Sequence, residues 1–220
     1  MIVVVGSPHL RFRDSKQEAA GPTVGVAAAA AAAGADVQLV GKIGDDPAGE
    51  LVLLDLAGRG IGHVAVLRDP TRATQETAEA DADSADPAEA APFEDPSGDP
   101  EPGATFAGPT LEPADIELAL RYLPDYRVLV VAESLAPEAL QIVVAASRWS
   151  GAALILVVPS GSEPLDVPDA TVLEAPADDP DDAFASVVGG YAAALDRGEE
   201  PAEAFASAST ASGWAAATAD

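Results

Sequence analysis

The chain has no cysteine, two histidines and, among its few basic residues, only two lysines, Lys16 and Lys42. Without cysteine there is no disulfide framework and no thiolate metal site. His9 and His63 share no metal-ligand spacing. Lys and Arg number 11 against 37 Asp and Glu, a formal charge of −26. That balance argues against nucleic acid, whose binding rests on neutralising phosphates with basic side chains. It also disfavours anionic membrane surfaces. A basic protein partner or a high-salt cytoplasm fits it. No apolar run reaches the ~18 residues of a membrane span. Met1-Ile2-Val3-Val4-Val5-Gly6 reads as a strand without a basic leader, so a cytoplasmic location is expected rather than a signal peptide. Gly-x-Ser-x-Gly, His-Glu-x-x-His and Walker motifs are all missing. Ser7, His9 and Asp14 share one short stretch that could hardly place them as a triad. The acid pairs Asp45–Asp46, Asp178–Asp179 and Asp181–Asp182 are attributable to composition, and no metal site is expected from them.

What is present is a pattern of buried strands alternating with helices. Residues 1–5 form a continuous apolar run, as in a strand covered on both faces. Pro22 opens a helix dominated by alanine, the best helix former, and Gly34 stops it. Residues 37–40 read as a second strand. Residues 41–49 read as a turn into a helix from about Pro47 to Leu56, with Asp46 as its cap. A strand follows at 64–67. Further on come a helix at 113–123, a strand at 127–132, a helix at 137–149 and strands at 152–158 and 170–173. Helices at 183–195 and 202–217 close the chain. This alternation predicts a three-layer α/β/α domain with a mainly parallel sheet. Open sheets of that kind bind ligands at the carboxyl ends of their strands. That edge is expected to gather Ser7, Gly44, Ser160 and the turn at 179–182.

From Glu76 to Gly103 the composition changes. The segment holds ten acids, no Lys or Arg, and Phe93 as its one large apolar side chain. It cannot bury enough apolar surface to offset its ordering entropy, so it is expected to be a disordered acidic loop interrupting a single domain of residues 1–220. A solvated linker is the plain reading; a docking segment for a basic partner is the functional one.

Two blocks, about Met1 to Leu67 and Asp178 to the end, resemble the PfkB, or ribokinase-like, carbohydrate kinases, and a middle stretch is similar to them as well. The most specific is Gly41-Lys42-Ile43-Gly44-Asp45-Asp46-x-x-Gly49, similar to the family's first signature and mainly architectural. The stretch from Leu123-Pro124-Asp125-Tyr126 to Pro159 is similar to a strand-helix-strand unit of the family. Gly189, Gly190, Tyr191, Leu195 and Gly198 resemble its C-terminal helices. In the family a Gly-Ala-Gly-Asp turn opens the first of these helices. Its glycine amides cradle the transferring phosphoryl group and its Asp is the general base. The aligned positions here are Asp179, Pro180, Asp181 and Asp182. The resemblance makes Asp182 the candidate base and puts Asp179 and Asp181 at a degraded anion-binding turn. Proline removes an N–H donor, and carboxylates repel a polyphosphate. Two unit charges about 4 Å apart interact by roughly 4 kcal/mol at an effective dielectric of ~20. An ordinary acidic helix cap is the simpler account of the same residues.

Other departures follow from the same alignment. The family's sugar-binding Asp falls nearest Arg11, and its substrate-holding Asn is replaced by Gly25. No Asn-x-x-Glu motif follows the strand at 152–158. Residues 9–20 leave no room for the strands of a substrate-covering lid, so the lid is expected to be missing. Three functions stay open. The leading one is a homologue with little or no sugar or nucleoside phosphorylation, kept as a ligand-sensing or protein-interaction domain, with a small molecule, a protein or a second copy as partner. The second is an active small-molecule kinase using Asp182, and only that one requires ATP and Mg²⁺ as cofactors. The third is a structural subunit that recruits a basic partner through the acidic loop.

Overall fold

The computed structural model describes residues 1–13, 16–78, 108–163, 165–177, 179 and 182–214. Strand β1 (Ile2–Val5) pairs in parallel with β4 (Val37–Gly44) on one side and β7 (Val128–Val131) on the other. Strand β5 (Gly62–Asp69) lies outside β4, while β8 (Ala153–Val158) and then β9 (Ala170–Glu174) lie outside β7. The six-stranded sheet therefore runs β5-β4-β1-β7-β8-β9, with every pairing parallel.

Alternation along each central strand feeds two cores. Ile2, Val4, Val128, Val130 and Ile155 face helices α1 (Pro22–Ala32), α2 (Pro47–Gly58), α5 (Ala183–Asp196) and α6 (Pro201–Ala211). Val3, Val5, Leu129, Val131 and Leu154 face α3 (Pro113–Tyr122) and α4 (Pro137–Ser150). The period of two sends successive side chains to opposite layers, so strands buried on both faces need the unbroken apolar runs seen in the sequence. The alanines of α1 serve a close helix contact. A Cβ on Gly189 of α5 would stand 2.6 Å from the Ala29 Cβ and the Val26 carbonyl oxygen, so only glycine and a slim partner helix fit there.

A second sheet corrects the expectation of a missing lid. Strands β2 (His9–Arg13) and β3 (Lys16–Ala20) form an antiparallel hairpin, and β6 (Glu76–Ala78) adds to β2 in parallel. Two five-residue strands fit where the polar composition pointed to none, because backbone pairing and docking on α2 hold them. The Ala19 amide donates to Asp55 at 2.8 Å, and Arg59 reaches the Ala19 carbonyl at 3.3 Å. Glu76–Ala78, expected within the acidic loop, is instead strand, held by pairs such as Leu10 with Glu76; the rest of that expected loop, 79–103, lies outside the described residues. Gly41 and Gly44 likewise belong to strand β4 rather than to a turn; the chain turns only at Asp45 and Asp46. No helix among the described residues is long and apolar enough to cross a membrane.

Candidate functional site

The sheet reverses its direction of growth between β1 and β7: one half extends through β4 to β5, the other through β8 to β9. Such a switch point opens a crevice at the carboxyl ends of the two strands. Here it is a cavity of roughly 660 Å³, within the range of small-molecule sites. The ends of β1 and β7 supply Ser7 and Glu133. The start of α1 supplies Pro22 and Thr23, strand β2 supplies His9 and Arg11, and the start of α5 supplies Asp179, Asp182 and Phe184.

The floor is built around a glycine. Gly6 adopts a φ of 151°, and a Cβ there would stand 2.1 Å from the Thr23 hydroxyl and 3.3 Å from the Glu133 side chain. The chain leaving β1 can pass between those two side chains only without a Cβ. The next amide, of Ser7, donates to Glu133 Oε2 at 2.8 Å. Burial pushes the Glu133 carboxyl above the usual carboxylate range, opposed by that one hydrogen bond. The Ser7 hydroxyl is enclosed and has no partner among the described residues.

The small sheet forms one wall. Burial, and then the charge of Arg11, push the His9 imidazole below its usual value, so it is neutral at neutral pH. Arg11 is committed across the hairpin to Glu18, through Nη2 at 2.6 Å and Nε at 3.0 Å. That bond is the main cause holding Glu18 below the usual carboxylate range.

The opposite wall is the start of α5. Asp179 turns its carboxylate onto the helix N-terminus and accepts from the amides of Phe184 (3.1 Å) and Ala185 (3.2 Å). These are unpaired donors of a first helical turn, the groups that bind an external anion where the position is open. Asp182 sits at the N-cap with a φ of 52°; its side chain makes no capping bond, and it lines the cavity. The cap is thus made by Asp179, three residues before the geometric N-cap. Asp181 lies outside the described residues.

The signature residues lie elsewhere. Asp46 caps α2 through the Gly49 amide at 2.7 Å and also accepts from the Thr74 amide (2.7 Å) and hydroxyl (2.8 Å). Burial raises its pKa, but these three bonds together outweigh burial and hold the carboxyl below its usual value. The Thr74 hydroxyl meets the Gly44 amide at 2.9 Å. A Cβ on Gly44 would stand 2.5 Å from the Thr74 nitrogen, and one on Gly49 2.5 Å from the Gly44 carbonyl oxygen. The Asp45 side chain meets the exposed Arg68 at 3.1 Å. The structure therefore gathers Ser7, Ser160, Asp179 and Asp182 at one cavity and leaves Gly41, Gly44, Asp45, Asp46 and Gly49 outside its lining. Gly44, expected at that edge, instead packs under Thr74. Sequence reasoning missed Glu133 and His9 as site residues. The available signal for Glu133 was an acid standing one residue past Ala132 at the end of a fully apolar strand, where α/β sheets place ligands. Among the described residues no group of three or more His, Asp or Glu is arranged to hold a metal ion.

Comparison with known proteins is consistent with this architecture. A family model for the pfkB family of carbohydrate kinases matches residues 2–102. The crystal structure of Sa239 aligns with a TM-score of 0.65 at 14% identity, covering 96% of this chain and 92% of that one. A ribokinase II from E. coli, solved in complex with ATP and Mg²⁺, gives 0.63 at 13% identity over 94% and 89%. A PfkB protein from Polaromonas sp. JS666 gives 0.62 at 16% identity over 94% and 92%. At these identities the likeness is one of fold. No curated protein matches the chain.

Proposed function

We propose that this relative of the PfkB carbohydrate kinases, matched to the family over residues 2–102, binds a small polar ligand at the sheet's switch point without transferring phosphate from ATP. One observation carries the reading. The Asp179 carboxylate takes the Phe184 and Ala185 amides at the helix start that aligns with the family's phosphoryl cradle. Phosphoryl transfer depends on positioning and on electrostatic stabilisation of the moving group. A fixed carboxylate on those donors opposes both, so the residues present do not fit a nucleotide's transferring phosphate. Arg11 and Gly25 stand where the resemblance puts hydroxyl-binding Asp and Asn side chains, and Arg11 is already paired with Glu18. The cavity itself is intact and walled by the small sheet, which favours retained ligand binding.

The test is calorimetric titration with Mg-ATP at low and high salt, followed by an ATP-turnover screen over sugars and nucleosides. No heat at millimolar ATP and no turnover are expected. Robust phosphorylation of any acceptor would overturn the reading. One observation favours the kinase alternative: Asp182 lines the cavity with no capping bond, as a general base would. If turnover were found and Asp182→Asn abolished it, that alternative would replace the first. Turnover unchanged by Asp182→Asn would exclude Asp182 as its base.

A further inference from the structure

The polar lining of the cavity is unbalanced in charge. Its floor holds Glu133, and its α5 wall holds Asp179 and Asp182. Against these carboxylates stands the single guanidinium of Arg11, whose Nη2 and Nε both donate to Glu18. His9 adds no charge at neutral pH, since burial and Arg11 keep it neutral. Helix α1 begins at the cavity, but its first residue is Pro22, which has no N–H to offer. Asp179 is satisfied by the α5 amides. Glu133 is not matched in the same way: it accepts the Ser7 amide, while a carboxylate can accept several hydrogen bonds. A part-buried cavity carboxylate with a single donor keeps unused acceptor capacity, and a ligand that donates hydrogen bonds and brings positive charge fills it.

Resting on the ligand-binding reading above, we propose that the cavity takes a small hydroxylated primary amine, its ammonium group donating to Glu133. An ammonium carries three donors and no acceptor, matching an acceptor-rich floor. A neutral sugar would leave the Glu133 charge uncompensated, and a phosphorylated one would set a second anion against Glu133 and Asp182. Burial pushes the Glu133 carboxyl up, opposed only in part by the Ser7 amide.

The test uses the full chain and three probes of one shape: glucosamine, glucose and glucose 6-phosphate. Binding is followed by calorimetry and by the fluorescence of Trp214, whose ring lies 5.4 Å from that of the cavity residue Phe184. Glucosamine is expected to bind at least ten-fold more tightly than glucose, with glucose 6-phosphate weakest. Glu133→Gln should abolish that preference, and Asp182→Asn should weaken glucosamine several-fold. The second variant keeps the test open if the first does not fold. Glu117→Gln, an exposed acid paired with Arg121 outside this cavity, should change nothing. Equal binding of glucose and glucosamine would overturn the proposal, as would no glucosamine binding. So would a preference that survives Glu133→Gln, since that would be general attraction to an acidic chain. Equal binding without ATP turnover sinks the amine preference alone, whereas ATP-dependent phosphorylation of a probe sinks the non-kinase reading instead.

Discussion

Two helices in this protein begin under an aspartate, and the same chemistry serves opposite ends. At α2, Asp46 accepts the Gly49 amide and reaches across to Thr74, in a turn where Gly44 and Gly49 leave no space for a Cβ. At α5, Asp179 accepts the Phe184 and Ala185 amides, in a turn that faces the cavity. The first carboxylate ties strand β4 to the segment leading into β6 and so helps to place the small sheet. The second satisfies a helix end that could otherwise receive an anion. A carboxylate on helix amides is therefore not informative by itself; what distinguishes the two is that Asp179 lies at the switch-point cavity and Asp46 does not.

Substitutions should separate the two turns. The largest effect is expected at Gly44→Ala, whose Cβ would meet the backbone of Thr74 and Arg72 at 2.5 and 2.7 Å. Denaturant unfolding should show a loss of about 3 kcal/mol, the upper part of the usual range for overpacking. Asp46→Ala removes a cap and leaves the Thr74 amide without its acceptor, so about 2 kcal/mol should be lost. Asp179→Ala removes only a cap and should cost about 1 kcal/mol. It should also do what Asp46→Ala cannot: free two amides at the cavity, so that inorganic phosphate quenches or enhances Trp214 fluorescence where the parent protein shows no response. If Asp179→Ala gained no phosphate response, the contrast between the turns would collapse to a difference in stability.

The smallest effects are in pH. The folded Glu133 carboxyl lies above its unfolded value near 4.5, so its contribution to stability is fully present below that pH and is lost as pH rises through the folded value. Glu133→Gln should flatten that fall in a pH series of melting temperatures. Asp46 has the opposite sign. Its folded value lies below 3.8, so its contribution is present above that pH and is lost as pH falls through the folded value. An Asp46→Asn melting curve that declined as steeply in acid as the parent's would exclude this role.

The main sheet was legible in the sequence because its central strands are buried on both faces, and such strands need apolar runs such as Ile2–Val5 and Val128–Val131. Pro47 and Asp46 marked the start of α2 for an equally local reason: a ring that fixes φ and a side chain that reaches the amide three residues on. The small sheet was not legible. His9–Arg13 and Lys16–Ala20 are polar and half exposed, and their order comes from backbone pairing and from Asp55 and Arg59 on a distant helix. The same holds for the site. The acids at 179 and 182 stood out as a departure from a glycine-rich turn, but no sequence pattern tied them to Glu133 or His9.

The sequence by itself determined the parallel sheet, its covering helices and the acidic character of the turn before α5, since propensity, alternation and capping act over a few residues. Only the tertiary structure decided that Asp179, rather than Asp182, takes the helix amides, and that Glu133 lies under Ser7 beside an unpartnered hydroxyl. Those facts depend on where the ends of β1 and β7 meet the starts of α1 and α5. Residues 126 positions apart are brought into contact there by packing alone.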